Sequence, residues 1–370
     1  MTPNPRLAAL DDLGQSIWLD SISREMLESG ELDRHVREHS VVGVTSNPSI
    51  FQQALASSDA YDEDIRHLVG EGLDDRTIFE RLAVADIRDA CDALRQVWLS
   101  SGRLDGMVSM EVEPDLAHDT DASIRRAHEL WNAIDRPNLM IKVPATEAGL
   151  PVVEELVFAG INVNVTLLFS VRMYRQVMER YLRGLERRRE AGLGPEVHSV
   201  ASFFVSRVDS AVDPLLDAAG GSARELRGQV AVANALAAWD AYLAVFTSDR
   251  FVQGLGSWGA LPQRPLWAST STKDPAYSDL LYVEPLVAAG TVNTMPLATL
   301  EAFADHGTAE LTITPQAVAR AHARLGELRE FGIDIDRVTE ELLAAGVEAF
   351  VDSYADLLAG LGAKRSQLAH

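Results

Sequence analysis

Lysine is scarce in this chain of 370 residues: Lys142, Lys273 and Lys364 stand against 30 arginines. A composition that uses arginine wherever a plain positive charge is wanted makes each lysine informative, Lys142 above all. It lies in LMIKVPA, between Ile141 and Val143. That run is short enough for a buried strand, where desolvation penalises the ammonium ion and leaves a neutral, nucleophilic amine. Arginine could hold a salt bridge at this position, but it cannot form an imine with a carbonyl substrate. A structural lysine paired with a barrel carboxylate has equal weight on this run alone, because buried ion pairs also occur in such strands.

An amine of this kind needs partners, and the elements that would position them are legible. Short apolar runs recur, each followed by a turn and a helical pattern: SIWLD, VVGVTSN, MVSMEVEP, LMIKVPA, INVNVTLLFS, VASFFVSR, PLWASTS and GTVNTMP. Near-continuous apolar strands alternating with helices indicate a parallel sheet covered on its outer face, and eight such units predict an α/β fold, a single (β/α)8 TIM barrel. Residues 75–99 show apolar positions at three- and four-residue spacing, and Ser170 stands where an N-cap should precede VRMYRQVMERYLRGLERRRE. No Pro/Gly/Ser linker divides the chain, so residues 1–370 are expected to form one barrel domain. Helical decorations are expected at about 22–70 and 310–360.

In a barrel, chemistry gathers at the C-terminal ends of the strands, so polar residues late in the apolar runs are candidates. They are Asp20, Asn47, Glu111, Asn164, Thr166, Ser202 and Arg207. Each has a plainer reading. Asn47 precedes Pro48 and could start a turn; Asp20 could cap the following helix; Thr166 and Ser202 could be satisfied core hydroxyls. Of Glu111 and Glu113, one is expected to face the barrel and the other the helix layer.

The bulk properties narrow the substrate. A net charge of −22 and a pI near 4.8 disfavour nucleic acid, and any phosphate must be met by local cations. The single cysteine, Cys91, cannot form an internal disulfide or a thiolate cluster. No secretory leader and no run of about 18 apolar residues is visible, which predicts a cytoplasmic protein with no membrane partner. His35 and His39 form the one close histidine pair, but ELDRHVREHS reads as a solvated helix face, so no metal is expected. The oligomeric state, monomer or homodimer, is open.

At these residues the sequence resembles the transaldolase family. The resemblance is carried by GVTSNPSIF (43–51), SMEVEPDLAHDT (109–120), MIKVPATEAGL (140–150), INVNVTLLFS (161–170) and SFFVSRVD (202–209), in the family's order and spanning about Ile17 to Pro296. The length and the WLDSISR opening look like the longer actinobacterial form. The resemblance implies sugar phosphates as substrates, no cofactor, and a dihydroxyacetone unit carried as a Schiff base on Lys142. It implies Glu111 as acid/base, Thr166 holding a catalytic water, and Asp20 removing the sugar hydroxyl proton as carbon–carbon cleavage occurs. Asn47, Asn164 and Ser202 match groups that bond the dihydroxyacetone moiety, and Arg207 a phosphate-binding arginine. The chain departs from the family where many members have a second phosphate-binding arginine: it reads ASTSTKDP, with Ser269, Ser271 and Lys273. Lys273 is inferred to replace it as a point charge. The related fructose 6-phosphate aldolases are shorter and lack the glutamate, and a catalytically silent sugar-phosphate binder would not need the amine.

Overall fold

The computed structural model describes residues 2–368. Eight parallel strands close into a barrel in sequence order: β1 (Ser16–Leu19), β2 (Val41–Thr45), β3 (Met107–Glu111), β4 (Leu139–Pro144), β5 (Val163–Leu168), β6 (Ser199–Phe204), β7 (Arg264–Ala268) and β8 (Val292–Met295), with β8 returning to β1. The eight apolar runs therefore coincide with the eight strands. Nearly every strand residue is buried, because side chains facing outward meet helices and those facing inward fill the barrel.

The outer helices follow their local signals. Ser170 caps Val171–Glu190 by accepting from Met173 N at 3.2 Å. Asp74 caps Asp75–Ala93 through Thr77 N at 2.8 Å. The helix expected over 75–99 is broken: Leu94 is fully buried with φ −85° and ψ 1°, and a separate turn, Arg95–Ser100, follows it. Four helices occupy the region expected to be decorated near the start: Arg24–Glu28, Glu31–His39, Pro48–Ser57 and Asp62–Gly70. Two more, Pro315–Glu327 and Ile335–Leu368, follow the last strand.

The last of these is more than decoration. Ile335–Leu368 runs over the C-terminal end of the barrel, where Phe350 lines the mouth. Gly346 lets it ride close: a Cβ there would come within 3.0 Å of Leu167 Cδ2. Leu167 itself has φ 58°, at an irregularity in the β5–β6 pairing between Val165 and Leu168. A bulky residue in the left-handed region is strained, and it sits beside a candidate site residue, Thr166.

His35 departs from the solvated-face reading. It is fully buried, with its Nδ1 2.8 Å from His39 Nδ1, because it shares with Leu32 the face of Glu31–His39 that packs on the barrel. Burial lowers the affinity of His35 for its proton. Among the described residues no group of three or more His, Cys, Asp or Glu side chains could hold a metal ion.

Candidate active site

Strand register brings the chemistry to one level. Glu111 on β3 stands opposite Lys142 on β4, and Lys142 opposite Asn164 on β5. Lys142 is 4% exposed, and its Nζ donates to Ser46 O at 3.1 Å and to Glu111 Oε2 at 3.4 Å. Lys142 does pair with a barrel carboxylate, as the structural reading expected, but at long range and with one of three ammonium donors left over.

Burial raises the Glu111 carboxyl above the ordinary carboxylate range; Lys142 pulls it back and Asp20 adds to the rise. Glu111 is thus the carboxyl group in direct contact with the Lys142 amine. Glu113 lies two residues on, which in a continuing strand would put it on the same face as Glu111. Because β3 ends at Glu111, Glu113 turns out to the helix layer, where both its oxygens accept from Arg126 Nε at 2.9 Å.

Asp20 follows β1 directly. It does not cap the next helix, since Ser23 does that through Met26 N at 3.1 Å. Instead Asp20 Oδ1 accepts from Thr45 Oγ1 at 2.7 Å, and Thr45 Oγ1 lies 2.7 Å from Thr294 Oγ1. With the Thr45 proton committed to Asp20, Thr294 is the donor in the second bond. Burial raises the Asp20 carboxyl, while the Thr45 bond, Lys142 and Arg207 lower it.

Asp20, Asn47, Lys142, Thr166, Ser202, Arg207, Ser269 and Lys273 line one open cleft of about 180 Å³. Asn47 fulfils the turn reading as well, capping Pro48–Ser57 with Oδ1 on Ile50 N at 3.0 Å. Its amide nitrogen has no such commitment. Thr166 Oγ1 is buried without a hydrogen-bond partner among the described residues, so it can bond whatever occupies the cleft. Arg207, in the first turn of Ser206–Ala219, is half-buried and takes part in no ion pair among the described residues; it stacks 5.2 Å from the Phe204 ring centroid. Desolvation lowers its proton affinity and Asp20 raises it. Ser269 holds φ 54° and lies 2.9 Å from Ser206 through their hydroxyls. Lys273 is exposed at the rim, bonded to Ser271 Oγ at 2.9 Å.

Two candidates sit apart from that cleft. Asn164 lies beneath it, fully buried, donating to Ser109 Oγ at 3.0 Å and accepting from Ser202 Oγ at 2.7 Å. Glu111 reaches Lys142 from a neighbouring cavity that it shares with Asn47, Arg126 and Tyr354. Sequence reasoning missed Thr45, Thr294, Ser109 and Phe350. The three hydroxyls each stand in or beside a predicted strand and could have been found by inward parity, but nothing local marks Phe350.

The chain that builds this site matches a family model described as transaldolase/fructose-6-phosphate aldolase over residues 17–361. The chain belongs to this family. A transaldolase of Mycolicibacterium paratuberculosis is 50% identical over 357 residues, 96% of each chain. One from Mycolicibacterium smegmatis is 50% identical over 360 residues, 97% of each. Transaldolase 1 of Streptomyces coelicolor is 50% identical over 357 residues, 96% of this chain and 93% of its own. The actinobacterial resemblance is therefore substantiated, and the family match runs past the expected limit at Pro296 to take in most of the last helix.

Proposed function

We propose that the protein is a transaldolase that moves a dihydroxyacetone unit from sedoheptulose 7-phosphate to glyceraldehyde 3-phosphate, giving erythrose 4-phosphate and fructose 6-phosphate. It would do so through a Schiff base on Lys142, in the non-oxidative pentose phosphate pathway of the cytoplasm, with residues 1–370 working as one barrel domain. The observation that carries this reading is the 3.4 Å contact of Glu111 with Lys142 Nζ, which lines a cleft that also holds Arg207, an arginine with no ion pair among the described residues.

The chemistry follows from the contacts. Glu111 takes a proton from Lys142, and the neutral amine adds to the ketose carbonyl. The carbinolamine hydroxyl leaves as water after protonation by Glu111, with Thr166 Oγ1 positioned to hold the water in between. The iminium then draws electrons as the C3–C4 bond breaks, and Asp20 accepts the C4 hydroxyl proton. The first aldose departs, and the three-carbon enamine remains on the lysine. A second aldose enters; the enamine carbon attacks its aldehyde carbon, Asp20 returns the proton, and hydrolysis of the iminium frees Lys142. Asn47 and Ser202 would bond the three-carbon hydroxyls, with Asn164 aligning Ser202 from below. Arg207, Ser269 and Lys273 would hold the phosphate, so that remote binding orients the reacting carbons.

The test incubates the purified protein with fructose 6-phosphate, with and without erythrose 4-phosphate, and quantifies sedoheptulose 7-phosphate and free dihydroxyacetone. Sedoheptulose 7-phosphate formed only with the acceptor is the expected result. Steady release of dihydroxyacetone without acceptor would make the protein an aldolase, and neither product would leave it a binding protein.

A further inference from the structure

The enamine carbon is reactive toward any proton donor, yet transfer requires it to wait for an aldehyde. Protonation adds a hydrogen to that carbon and regenerates the iminium; water then adds at the C=N carbon, the carbinolamine collapses, and free dihydroxyacetone leaves with the amine restored. The same bound fragment thus partitions between two fates, decided by whether water or an aldehyde reaches the carbon first. The cleft wall mixes polar groups such as Asp20, Asn47 and Arg207 with apolar ones, and of the latter Phe204, Ala268 and Pro296 come from the barrel strands and their ends.

The side chain that covers the lysine comes from outside the barrel strands. Phe350 is 6% exposed, lines the cleft, and its ring centroid lies 5.7 Å from Lys142 Nζ. The helix that carries it, Ile335–Leu368, is pinned on both sides of the ring. Before it, Gly346 seats against Leu167. After it, Tyr354 packs edge-on to Phe79 at 5.8 Å, and Phe79 to Phe51 at 5.5 Å. Further along, Lys364 Nζ donates to Leu55 O at 3.1 Å and Ser58 O at 2.6 Å and pairs with Asp62 at 2.9 Å. These contacts tie the helix to Pro48–Ser57, whose first residue follows Asn47 in the cleft. A ring held from both sides keeps its position while substrates exchange at the open face of the mouth.

We infer that Phe350 is a positioning residue that shields the Lys142-bound enamine from water, and thereby sets the ratio of sugar transfer to dihydroxyacetone release. The inference rests on the transaldolase reading above. Shielding needs apolar bulk, whereas a cation–π contact to the iminium needs the aromatic face, and two substitutions separate them. Phe350→Ala opens the space above Lys142; Phe350→Leu keeps it apolar and filled.

The experiment supplies fructose 6-phosphate with erythrose 4-phosphate to each variant and measures free dihydroxyacetone against sedoheptulose 7-phosphate in the same tube. Because both products arise from one enzyme-bound intermediate, their ratio is independent of how much protein is folded. The expected result is a ratio raised about tenfold or more in Phe350→Ala, and close to the parent in Phe350→Leu. A parental ratio in Phe350→Ala overturns the shield, and so does a rise in Phe350→Leu equal to that in Phe350→Ala. A parent that makes no sedoheptulose 7-phosphate would defeat the transaldolase reading instead, so the two failures are told apart.

Discussion

Arg264 at the N-terminal end of the barrel and Lys142 near the opposite end are both cations on strands, 6% and 4% exposed, yet their surroundings differ in kind. Arg264 Nη1 pairs with Asp105 at 3.0 Å, and Nη2 donates to Ser16 Oγ at 2.5 Å and Thr291 O at 3.0 Å. Around it the bonds continue: Gln15 donates to Leu286 O at 2.8 Å and Thr291 Oγ1 at 2.9 Å, and Gln263 to Ser199 Oγ at 2.8 Å. At the mouth, Lys142 meets its carboxylate at 3.4 Å, and among the described residues Arg207 has no ion pair and Thr166 Oγ1 no partner. A charge surrounded by short bonds cannot turn to a substrate without losing them. A charge held loosely can, and the difference is one of degree: Arg264 Nε, Gln15 Oε1 and Gln263 Oε1 also have no partner among the described residues, but both Arg264 Nη atoms are committed to short bonds as Lys142 Nζ is not.

The sharpest test of the contrast exchanges the residue types. Lys142→Arg keeps a positive charge but cannot form an imine, so turnover should fall by about 10⁴-fold or more, with the melting temperature little changed. Steady-state assay together with borohydride trapping of the substrate adduct checks this, and substantial residual activity would remove Lys142 from the covalent step. Arg264→Met should do the reverse. It leaves Asp105 buried without its partner and should cost about 3–5 kcal/mol of unfolding free energy, read by urea denaturation. The activity of the folded fraction should hold, and a lowered kcat in fully folded Arg264→Met would show that the two ends are coupled.

The same contrast explains what could be read in advance. Parallel strands buried on both faces leave long apolar runs, so all eight barrel strands and the capping signal of Ser170 were plain in the sequence. The choice of lysine in a chain rich in arginine marked Lys142 for the same local reason. What escaped notice depended on tertiary approach. The break at Leu94 arises from packing, the burial of His35 from the face on which its helix docks, and Phe350 from a helix far along the chain that folds back over the mouth. Parity along the strand runs could have placed Thr45 and Thr294 inward, but their link to each other and to Asp20 joins separate runs and is announced by no single one.

A smaller effect is expected at the rim. Lys273→Ala removes an exposed point charge from a cleft that keeps Arg207, so the KM for fructose 6-phosphate should rise about tenfold. The KM for dihydroxyacetone as donor should scarcely move, because that substrate has no phosphate to lose contact with. Equal changes for both substrates would take Lys273 out of the phosphate site and leave the family's missing arginine without a replacement in this loop.

The subtlest effect expected at the mouth concerns the charge of Asp20. Asp20 must be ionised to accept the C4 hydroxyl proton, and burial alone would hold its carboxyl high. Thr45 Oγ1, donating at 2.7 Å and itself receiving the Thr294 proton, stabilises the ionised form and works against that burial, as do Lys142 and Arg207. Thr45→Val keeps the shape and removes the donor, so the Asp20 carboxyl should move further up. The acid limb of the kcat/KM profile should then shift to higher pH, while the plateau above it changes little, because Asp20 still ionises once the pH is high enough. Thr294→Val should shift the limb in the same direction by less, since it acts through Thr45. A limb that stays in place in Thr45→Val, with only the plateau lowered, would mean that Thr45 holds the Asp20 side chain in position without setting its charge.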